Sequence, residues 1–207
     1  MLNDANVLGA GQNKFLNSIT LAQHGLPHVE AHLVGSVVEA LISAEQLGYP
    51  LVIKPVIGAK GMDVVELVDQ QALASVVPLY LRDYAAVYLQ RHVAKPGRDI
   101  RVSVVDYRAV CAFYRYAPPG AFVTNLSAGG TWEDCPIDST IRELAEGAAR
   151  AFHAKIAGVD LIEEAEAYRI LEVNTTPSIT VPHSRAVPAV LDWLERELAM
   201  GGQRAAS

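Results

Sequence analysis

The chain has 207 residues, of which 51% are hydrophobic and 19% are charged, and its formal net charge is −6. This composition can bury a hydrophobic core and argues against intrinsic disorder, and an acidic chain without a basic run is not expected to take nucleic acid as its main partner. The two cysteines, Cys111 and Cys135, are far apart, and no apolar segment is long enough to cross a membrane, so we expect a cytoplasmic protein with no membrane partner.

Predicted helices and strands alternate along most of the chain, which indicates an α/β (α+β) fold. Apolar residues at helical spacing predict helices over residues 14–24, 37–47, 70–80, 140–153 and 187–200. Runs rich in β-branched residues predict strands over residues 51–54, 64–68, 87–90, 100–105, 109–114, 157–162 and 168–174. Thr140 and Glu143 have capping-box spacing at the start of the fourth helix. Residues 1–13 and 201–207 lack apolar periodicity, and we expect a flexible N-terminus and a disordered tail.

A pair of carboxylates is the strongest chemical signal in the sequence. If the last two strands form a hairpin centred near Glu166, Asp160 lies opposite Glu172, and strand alternation places Glu172 and Asn174 on one face. Two carboxylates directly across a strand pair repel each other at about 5 Å. A divalent cation with oxygen ligands would remove that repulsion. The alternative is that both carboxylates face water on the exposed side of an edge hairpin, and the residues alone leave both interpretations open.

A lysine and two glycines mark a second candidate site. Lys54 ends the strand over residues 51–54, and the turn Gly58-Ala59-Lys60-Gly61 follows it. A lysine beside backbone amides that glycine leaves accessible can bind phosphate oxygens. The same pattern is also typical of a solvated turn, and it is not a Walker motif. Phosphate binding gains weight because the carboxylate pair would supply the cation that accompanies a nucleoside triphosphate.

Several motifs occur in a specific order between Lys14 and Leu198. They are Leu51-Val52-Ile53-Lys54-Pro55, the glycine turn, Gly97-Arg98-Asp99-Ile100-Arg101-Val102, Thr124-Asn125-Leu126-Ser127-Ala128-Gly129-Gly130, Gly158-Val159-Asp160-Leu161-Ile162 and Leu171-Glu172-Val173-Asn174-Thr175-Thr176-Pro177. In this order they resemble the ATP-grasp ligases, most closely the ribosomal protein S6 glutamate ligase branch. The resemblance implies two α+β lobes with the nucleotide site between them: a small lobe over residues 14–89 and a large lobe with the metal site over residues 90–200.

The resemblance also implies a role for each matching residue. The nucleotide would be bound by Lys14, Lys54, Gly58, Lys60, Gly61, Arg91, His92, Asp99 and Asn125. Two arginines, Arg101 and Arg115, would face the reacting phosphate or an acidic substrate. Magnesium, as one or two ions that manganese could replace, would be bound by Asp160, Glu172 and Asn174. Position 91 departs from the pattern, because the family often has Glu there.

The implied reaction is an ATP- and magnesium-dependent ligation of a carboxylate to an amine through an acyl phosphate. The carboxylate donor would be glutamate or another amino acid, and the acceptor a small molecule or peptide. Family members usually carry a further domain before the first lysine. A second reading is therefore a nucleotide-binding module that needs a partner chain, or a homo-oligomer, to supply the rest of the cleft. A third is a non-catalytic interaction protein that retains the fold.

Two other residue sets have weaker claims to a function. Histidines recur every four residues at His24, His28 and His32, but Gly25 and Pro27 interrupt the helix that would align them. His183 and Arg185 follow the last strand and either line an anionic pocket or lie on the loop surface.

Overall fold

The computed structural model describes residues 3–58, 63–120, 124, 129–178 and 182–205. The helices in these ranges are α1 (Ala5–Gln12), α2 (Lys14–Gln23), α3 (Val37–Leu47), α4 (Gln70–Asp83), α5 (Ser139–Ala151) and α6 (Val187–Ala205). The strands are β1 (Ala31–Val34), β2 (Leu51–Pro55), β3 (Val65–Leu67), β4 (Val87–Arg91), β5 (Arg98–Val105), β6 (Arg108–Tyr116), β7 (Thr131–Asp134), β8 (Ile156–Glu164) and β9 (Ala167–Asn174). None of the described helices is both long and apolar enough to cross a membrane.

The first sheet is antiparallel and has the strand order β1-β4-β2-β3. Helices α3 and α4 pack together against it, and their apolar residues form one core with the sheet. The centre of that core is fully buried and contains Leu51, Ile53, Leu73, Val77 and Leu89. This sheet presents Lys54 and Gln90 from the neighbouring strands β2 and β4.

The second sheet is also antiparallel, with the order β7-β6-β5-β8-β9. Alternation along its strands sends aliphatic side chains to one face, where α5 covers them with Ile141, Ala145 and Ala148. The polar residues of the same strands point to the opposite face. That face carries the candidate site, and α5 therefore supports it from behind.

The β8–β9 hairpin confirms the predicted pairing of Asp160 with Glu172, although the register elsewhere in the hairpin differs from the predicted one. The turn is one residue shorter than a centre at Glu166 requires, so Leu161 pairs with Ile170. A β-bulge at Leu171 then restores the register. Because of the bulge, Ile170 is fully buried in the core while Glu172, two residues later, lies on the face of Asp160.

The two termini of the described chain are more ordered than expected. Residues 5–12 form α1, whose Val7 enters the core of the second sheet. The helix was not predicted because two glycines lower the helix propensity of this segment. Gly11 is needed there because a Cβ would overlap the side chain of Thr175. At the other end, α6 continues to Ala205, beyond the expected end at residue 200.

Three further features differ from the sequence prediction. Asp138, not Thr140, is the N-cap of α5, since its Oδ1 accepts from the Ile141 amide at 2.7 Å. Strands β1 and β7 were not predicted, because each has four residues and partly polar composition. Helix α2 packs its Leu21 into the core of the second sheet, although the sequence argument grouped it with the small lobe.

Candidate functional site

The polar face of the second sheet brings together five of the predicted site residues in adjacent strands. Arg101 on β5 pairs with Asp160 on β8, and Asp160 pairs with Glu172 on β9. Asp99 on β5 pairs with Arg115 on β6 in the next row. The sequence predicted the Asp160–Glu172 contact, but it did not predict that both arginines would lie beside these acids.

Asp160 is buried between two guanidinium groups. Nη2 of Arg101 lies 2.9 Å from Oδ2 of Asp160, and Nε of Arg101 donates to Oδ1. Nη2 of Arg115 also lies 2.9 Å from Oδ2. Burial alone would raise the pKa of Asp160, but the two guanidinium groups outweigh it and hold this pKa below its ordinary value. Asp160 is therefore ionised and already neutralised by the protein.

Asp99 also binds Arg115, the second of the two arginines that hold Asp160. Nε and Nη2 of Arg115 donate to the two carboxylate oxygens of Asp99 at 2.7 and 2.8 Å, and the hydroxyl of Thr124 donates to Asp99 as well. Arg115 thus bridges Asp99 and Asp160. The structure gives Asp99 a structural role, because its carboxylate fixes the orientation of Arg115, and its contact with a nucleotide stays a prediction.

Gly158 provides the space that Arg101 needs. A Cβ at this position would lie 2.7 Å from Nη1 of Arg101 and 3.2 Å from its Cδ. Arg101 is only 6% exposed and is held by Asp160, so its side chain has little room to move away. The glycine of the Gly158-Val159-Asp160 motif is therefore required by close side-chain approach.

Three lysines face the acids. Lys54 donates to Oε1 of Gln90 at 2.7 Å, and burial lowers its pKa to about 8, against the opposing effect of Glu172. Lys14 donates to the carbonyl of Gly58 at 2.9 Å, and burial lowers its pKa too, again opposed by Glu172. Lys95 was not singled out from the sequence; burial lowers its pKa, and Asp99 and Asp160 oppose this.

The predicted metal ligands differ in how available their oxygens are. Glu172 has no hydrogen bond or ion pair with the described residues, and its carboxylate faces Lys14 and Lys54. Oδ1 of Asn174 accepts from the amide of Thr176 at 2.9 Å, and Asp160 is held by its two arginines. The described residues contain no cluster of three His, Cys, Asp or Glu side chains that could hold a metal. The set is nevertheless two carboxylates and one amide, which are oxygen donors of the kind magnesium prefers, so it fits this ion with Glu172 as its free ligand.

Arg91 and His92 lie where β4 leaves the first sheet. Nη1 of Arg91 is 2.6 Å from Oε1 of Glu164, and Nε2 of His92 is 3.5 Å from Oε1 of Glu66. The departure at position 91 is thus matched by an acid on β8. Beside this linker, an apolar cluster forms from Val29, Val93, Ile162 and Leu171.

The sequence left open whether His183 and Arg185 line a pocket or lie on the loop surface. Arg185 is exposed and pairs with Asp134. The His183 ring packs edge-on against Phe113 with a centroid distance of 4.8 Å, and its buried Nδ1 has no hydrogen-bond partner among the residues that the structure describes. Burial, followed by Arg101 and Arg115, lowers the pKa of His183 to about 4. The ring is therefore neutral near pH 7. Sequence reasoning named His183 but could not choose between a pocket and the loop surface, because the surroundings of the ring come from β6 and β5.

The remaining predicted site residues, Lys60, Gly61 and Asn125, lie outside the described residues. Gly58 lies inside them and is exposed. Its carbonyl contact with Lys14 is the described part of the predicted glycine loop.

Comparison with known proteins identifies related sequences and folds. A sequence profile of the RimK-like ATP-grasp domain matches residues 11–187. The tetrahydromethanopterin:alpha-L-glutamate ligase of Methanosarcina acetivorans is 35% identical over 86% of this chain and 63% of its own length. The probable alpha-L-glutamate ligase of Aeromonas salmonicida is 32% identical over 86% of this chain and 60% of its own length. The chain thus spans about three fifths of the length of these relatives.

Solved structures show the same fold at lower sequence identity. The D-alanine–D-alanine ligase of Bacillus anthracis complexed with ATP superposes with a TM-score of 0.77 and 18% identity, over 98% of this chain and 71% of that one. The ATP-grasp ligase PsnB complexed with minimal precursor, Mg and ADP gives a TM-score of 0.69 and 21% identity, over 89% of this chain and 56% of that one.

Proposed function

Because the chain belongs to the RimK-like ATP-grasp family, we propose that it is an ATP- and magnesium-dependent ligase that joins a carboxylate to an amine. One observation carries the proposal most directly. The carboxylate of Glu172 is free of hydrogen bonds among the described residues and faces two half-buried lysines, Lys14 and Lys54. Lysines can hold the phosphates on one side, and the acid can hold the cation that accompanies them on the other.

The nucleotide would lie between the two sheets. The apolar cluster of Val29, Val93, Ile162 and Leu171 is suited to the adenine ring, and it lies next to the linker that carries Arg91 and His92. From there the phosphates would extend toward Lys54 and Lys14. Magnesium, when bound by Asp160, Glu172 and Asn174, would neutralise phosphate charge.

The proposed chemistry is a transfer in two steps. A carboxylate oxygen attacks the γ-phosphorus of ATP, and the bond to the β-γ bridging oxygen breaks, which leaves ADP and an acyl phosphate. An amine nitrogen then attacks the acyl carbon, the carbon–oxygen bond to phosphate breaks, and the proton that the nitrogen loses passes to the departing phosphate. Arg101 and Arg115 line the face where negative charge develops, while Asp99 and Asp160 fix their orientation. The neutral ring of His183 lies near Arg101 and Arg115 and can accept a hydrogen bond from the incoming amine.

For the amino acid, we propose glutamate. The relatives from Methanosarcina acetivorans and Aeromonas salmonicida are both named as glutamate ligases. Two buried arginines on the site face also suit an acidic substrate. A second candidate is a nucleotide-binding module that becomes active only with a partner chain. It is kept because the chain spans about three fifths of these relatives.

Magnesium-dependent ADP release, measured with glutamate and a panel of amine acceptors, tests the proposal, and product mass identifies the amide. Glu172→Ala should abolish the release and leave the fold intact, because this carboxylate has no structural partner among the described residues. Glu166→Ala is the matched control, since it removes an exposed carboxylate from the turn of the same hairpin. Wild-type turnover by Glu172→Ala would remove the metal assignment, and ADP binding without turnover for any acceptor would favour the second candidate.

A further inference from the structure

Two consecutive residues of α2 bind different sheets. Asn17 is 3% exposed, and its Nδ2 donates to the carbonyl of Val173 on β9 at 2.8 Å. The amide of Val173 donates back to Oδ1 of Asn17 at 3.0 Å. A carboxamide carries the same donor and acceptor as a peptide group, so Asn17 pairs with β9 at the open edge of the second sheet as a neighbouring strand would.

The position of this contact matters for the site. Val173 lies between Glu172 and Asn174, the two proposed magnesium ligands on β9. Among the described strands β9 has only β8 as a neighbour, and its other edge is bonded at Ile170 by the backbone of Pro27 and Val29. The two hydrogen bonds from Asn17 therefore hold, from the other side, the backbone that presents both ligands.

Ser18 reaches the first sheet through a chain of buried hydrogen bonds. Its hydroxyl lies 2.6 Å from that of Tyr88, and Tyr88 accepts from Nε2 of Gln90 at 3.3 Å. Oε1 of Gln90 in turn accepts from Lys54 at 2.7 Å. Tyr88 and Gln90 in the middle of this chain are each 2% exposed, so water has little access to the bond between them, whereas Ser18 and Lys54 at its ends are half-buried.

Helix α2 also begins with the other phosphate lysine. Lys14 is its first residue, one turn before Ser18, and the backbone amide of Lys14 donates to Val56 at 2.9 Å. A single helical turn therefore carries Lys14, connects to Lys54 through Ser18, and connects to the backbone of Glu172 and Asn174 through Asn17.

We propose that Asn17 and Ser18 are positioning residues that fix the two phosphate lysines at a set distance from the metal-ligand strand. The inference rests on the proposed nucleotide and magnesium site. The role proposed for α2 is to couple the binding of the nucleotide to the binding of magnesium. A nucleotide held by the lysines presents its phosphates to the cation only if α2 and β9 keep a fixed relative position. Loss of either contact should weaken the mutual stabilisation of nucleotide and magnesium more than it weakens either alone.

The test is the factor by which saturating Mg²⁺ tightens ADP binding, measured by titration calorimetry on the full chain. Asn17→Leu keeps the branching and the number of heavy atoms of the side chain and adds no charge but removes both bonds to Val173, and we expect the factor to fall about tenfold. Ser18→Ala removes one bond of the relay and should lower it about fivefold. ADP affinity without Mg²⁺ should change less in both variants.

Asn3→Leu is the matched control. The buried Nδ2 of Asn3 donates to the carbonyls of Ile156 at 2.7 Å and Thr175 at 2.8 Å, and its Oδ1 accepts from the amide of Ile156 at 3.2 Å. Asn3 therefore binds both strands of the same hairpin near their ends, but it is not part of α2. This variant should lose thermal stability as Asn17→Leu does and keep the coupling factor. Equal losses of coupling in both asparagine variants would overturn the proposal, because anchoring of the hairpin in general would then suffice.

The remaining outcomes are also decisive. If Asn17→Leu does not fold, Ser18→Ala carries the test, and an unchanged factor in that variant overturns the proposal. If Mg²⁺ has no effect on ADP binding by the wild-type protein, the proposed function itself is wrong. If Mg²⁺ tightens ADP binding equally in the wild type and in both variants, only the role of Asn17 and Ser18 is wrong.

Discussion

At the scale of single residues, Lys54 is the group whose protonation nucleotide binding should change most. Burial brings its pKa to about 8, whereas phosphate contact favours the ammonium form. Above pH 8 the free protein must therefore take up a proton to bind a phosphate. We expect ADP affinity to fall by up to about tenfold per pH unit between pH 8 and pH 10.

Lys54→Arg provides the control for this pH dependence, since a guanidinium stays charged over the whole range. Burial lowers the pKa of Lys14 as well, so the variant should keep a shallower slope. Calorimetric titrations of ADP at several pH values measure both slopes, and identical slopes in the two proteins would contradict the role given to Lys54.

Asp160 and Glu172 face each other across one strand pair, yet we expect unequal effects on stability. Asp160 is the shared counter-charge of two buried arginines, and its neutralisation leaves Arg101 without a carboxylate partner among the described residues and Arg115 with Asp99 alone, so Asp160→Asn should cost about 3 kcal/mol. Glu172→Gln should stay within about 0.5 kcal/mol of wild type, because Glu172 has no bonded partner among the described residues. Urea unfolding measures both, and a large loss in Glu172→Gln would indicate a structural role for that acid.

At the scale of secondary-structure elements, the ends of the helices decide where functional side chains lie. Oδ1 of Asn13 accepts from the amides of Phe15 and Leu16 at 3.1 and 3.0 Å and caps α2 directly before Lys14. Asp138 caps α5 on the opposite face of the second sheet. The two caps are chemically alike, but only that of α2 adjoins the site.

Asn13→Ala and Asp138→Ala should each cost about 1 kcal/mol of unfolding free energy, because both remove an N-cap acceptor. Only Asn13→Ala should weaken ADP binding, since fraying of α2 displaces Lys14. Urea unfolding and ADP titration on both variants check this, and equal loss of ADP affinity in the two would show that general stability, not the position of α2, controls the site.

The β-bulge at Leu171 shows how an element can satisfy two demands. Strict alternation would place Ile170 and Glu172 on the same face of β9. The bulge lets Ile170 fill the core while Glu172 faces Asp160, and Leu171 joins the apolar cluster beside Ile162. The sequence prediction of the Asp160–Glu172 pair held because the shorter turn and the bulge offset each other.

At the scale of the whole molecule, an ion pair connects the two sheets beside the nucleotide linker. Arg91 at the end of β4 contacts Glu164 at the end of β8, and Glu164 also pairs with Arg169. Both side chains of the Arg91–Glu164 pair are about one quarter exposed, so solvent weakens the interaction. Arg91 is also the position that departs from the family pattern.

A double-mutant cycle with Arg91→Ala and Glu164→Ala should give a coupling free energy of about 1 kcal/mol, measured by urea unfolding. Arg91→Glu, which restores the common family residue, should destabilise the protein because it places like charges together. Restored stability in the charge-swapped variant Arg91→Glu with Glu164→Arg would confirm the pair, and additive single effects would exclude it.

The sequence by itself determined the mixed α/β character, the helices that begin at Lys14 and Val37, and the opposition of Asp160 and Glu172. These follow from helical periodicity and strand alternation, which are local properties of the backbone and depend on residues that are close together in the sequence. The order of the motifs predicted the family, and the match over residues 11–187 confirmed it.

Only the tertiary structure decided which distant groups meet. Asn17 binds Val173, 156 positions away, and Arg101 binds Asp160, 59 positions away. Lys95 and His183 join the site in the same way. Such contacts leave no periodic trace in the sequence, because the pairing of buried charges and the docking of a helix on a sheet edge depend on how elements from separate parts of the chain pack, and this is settled only when the core forms.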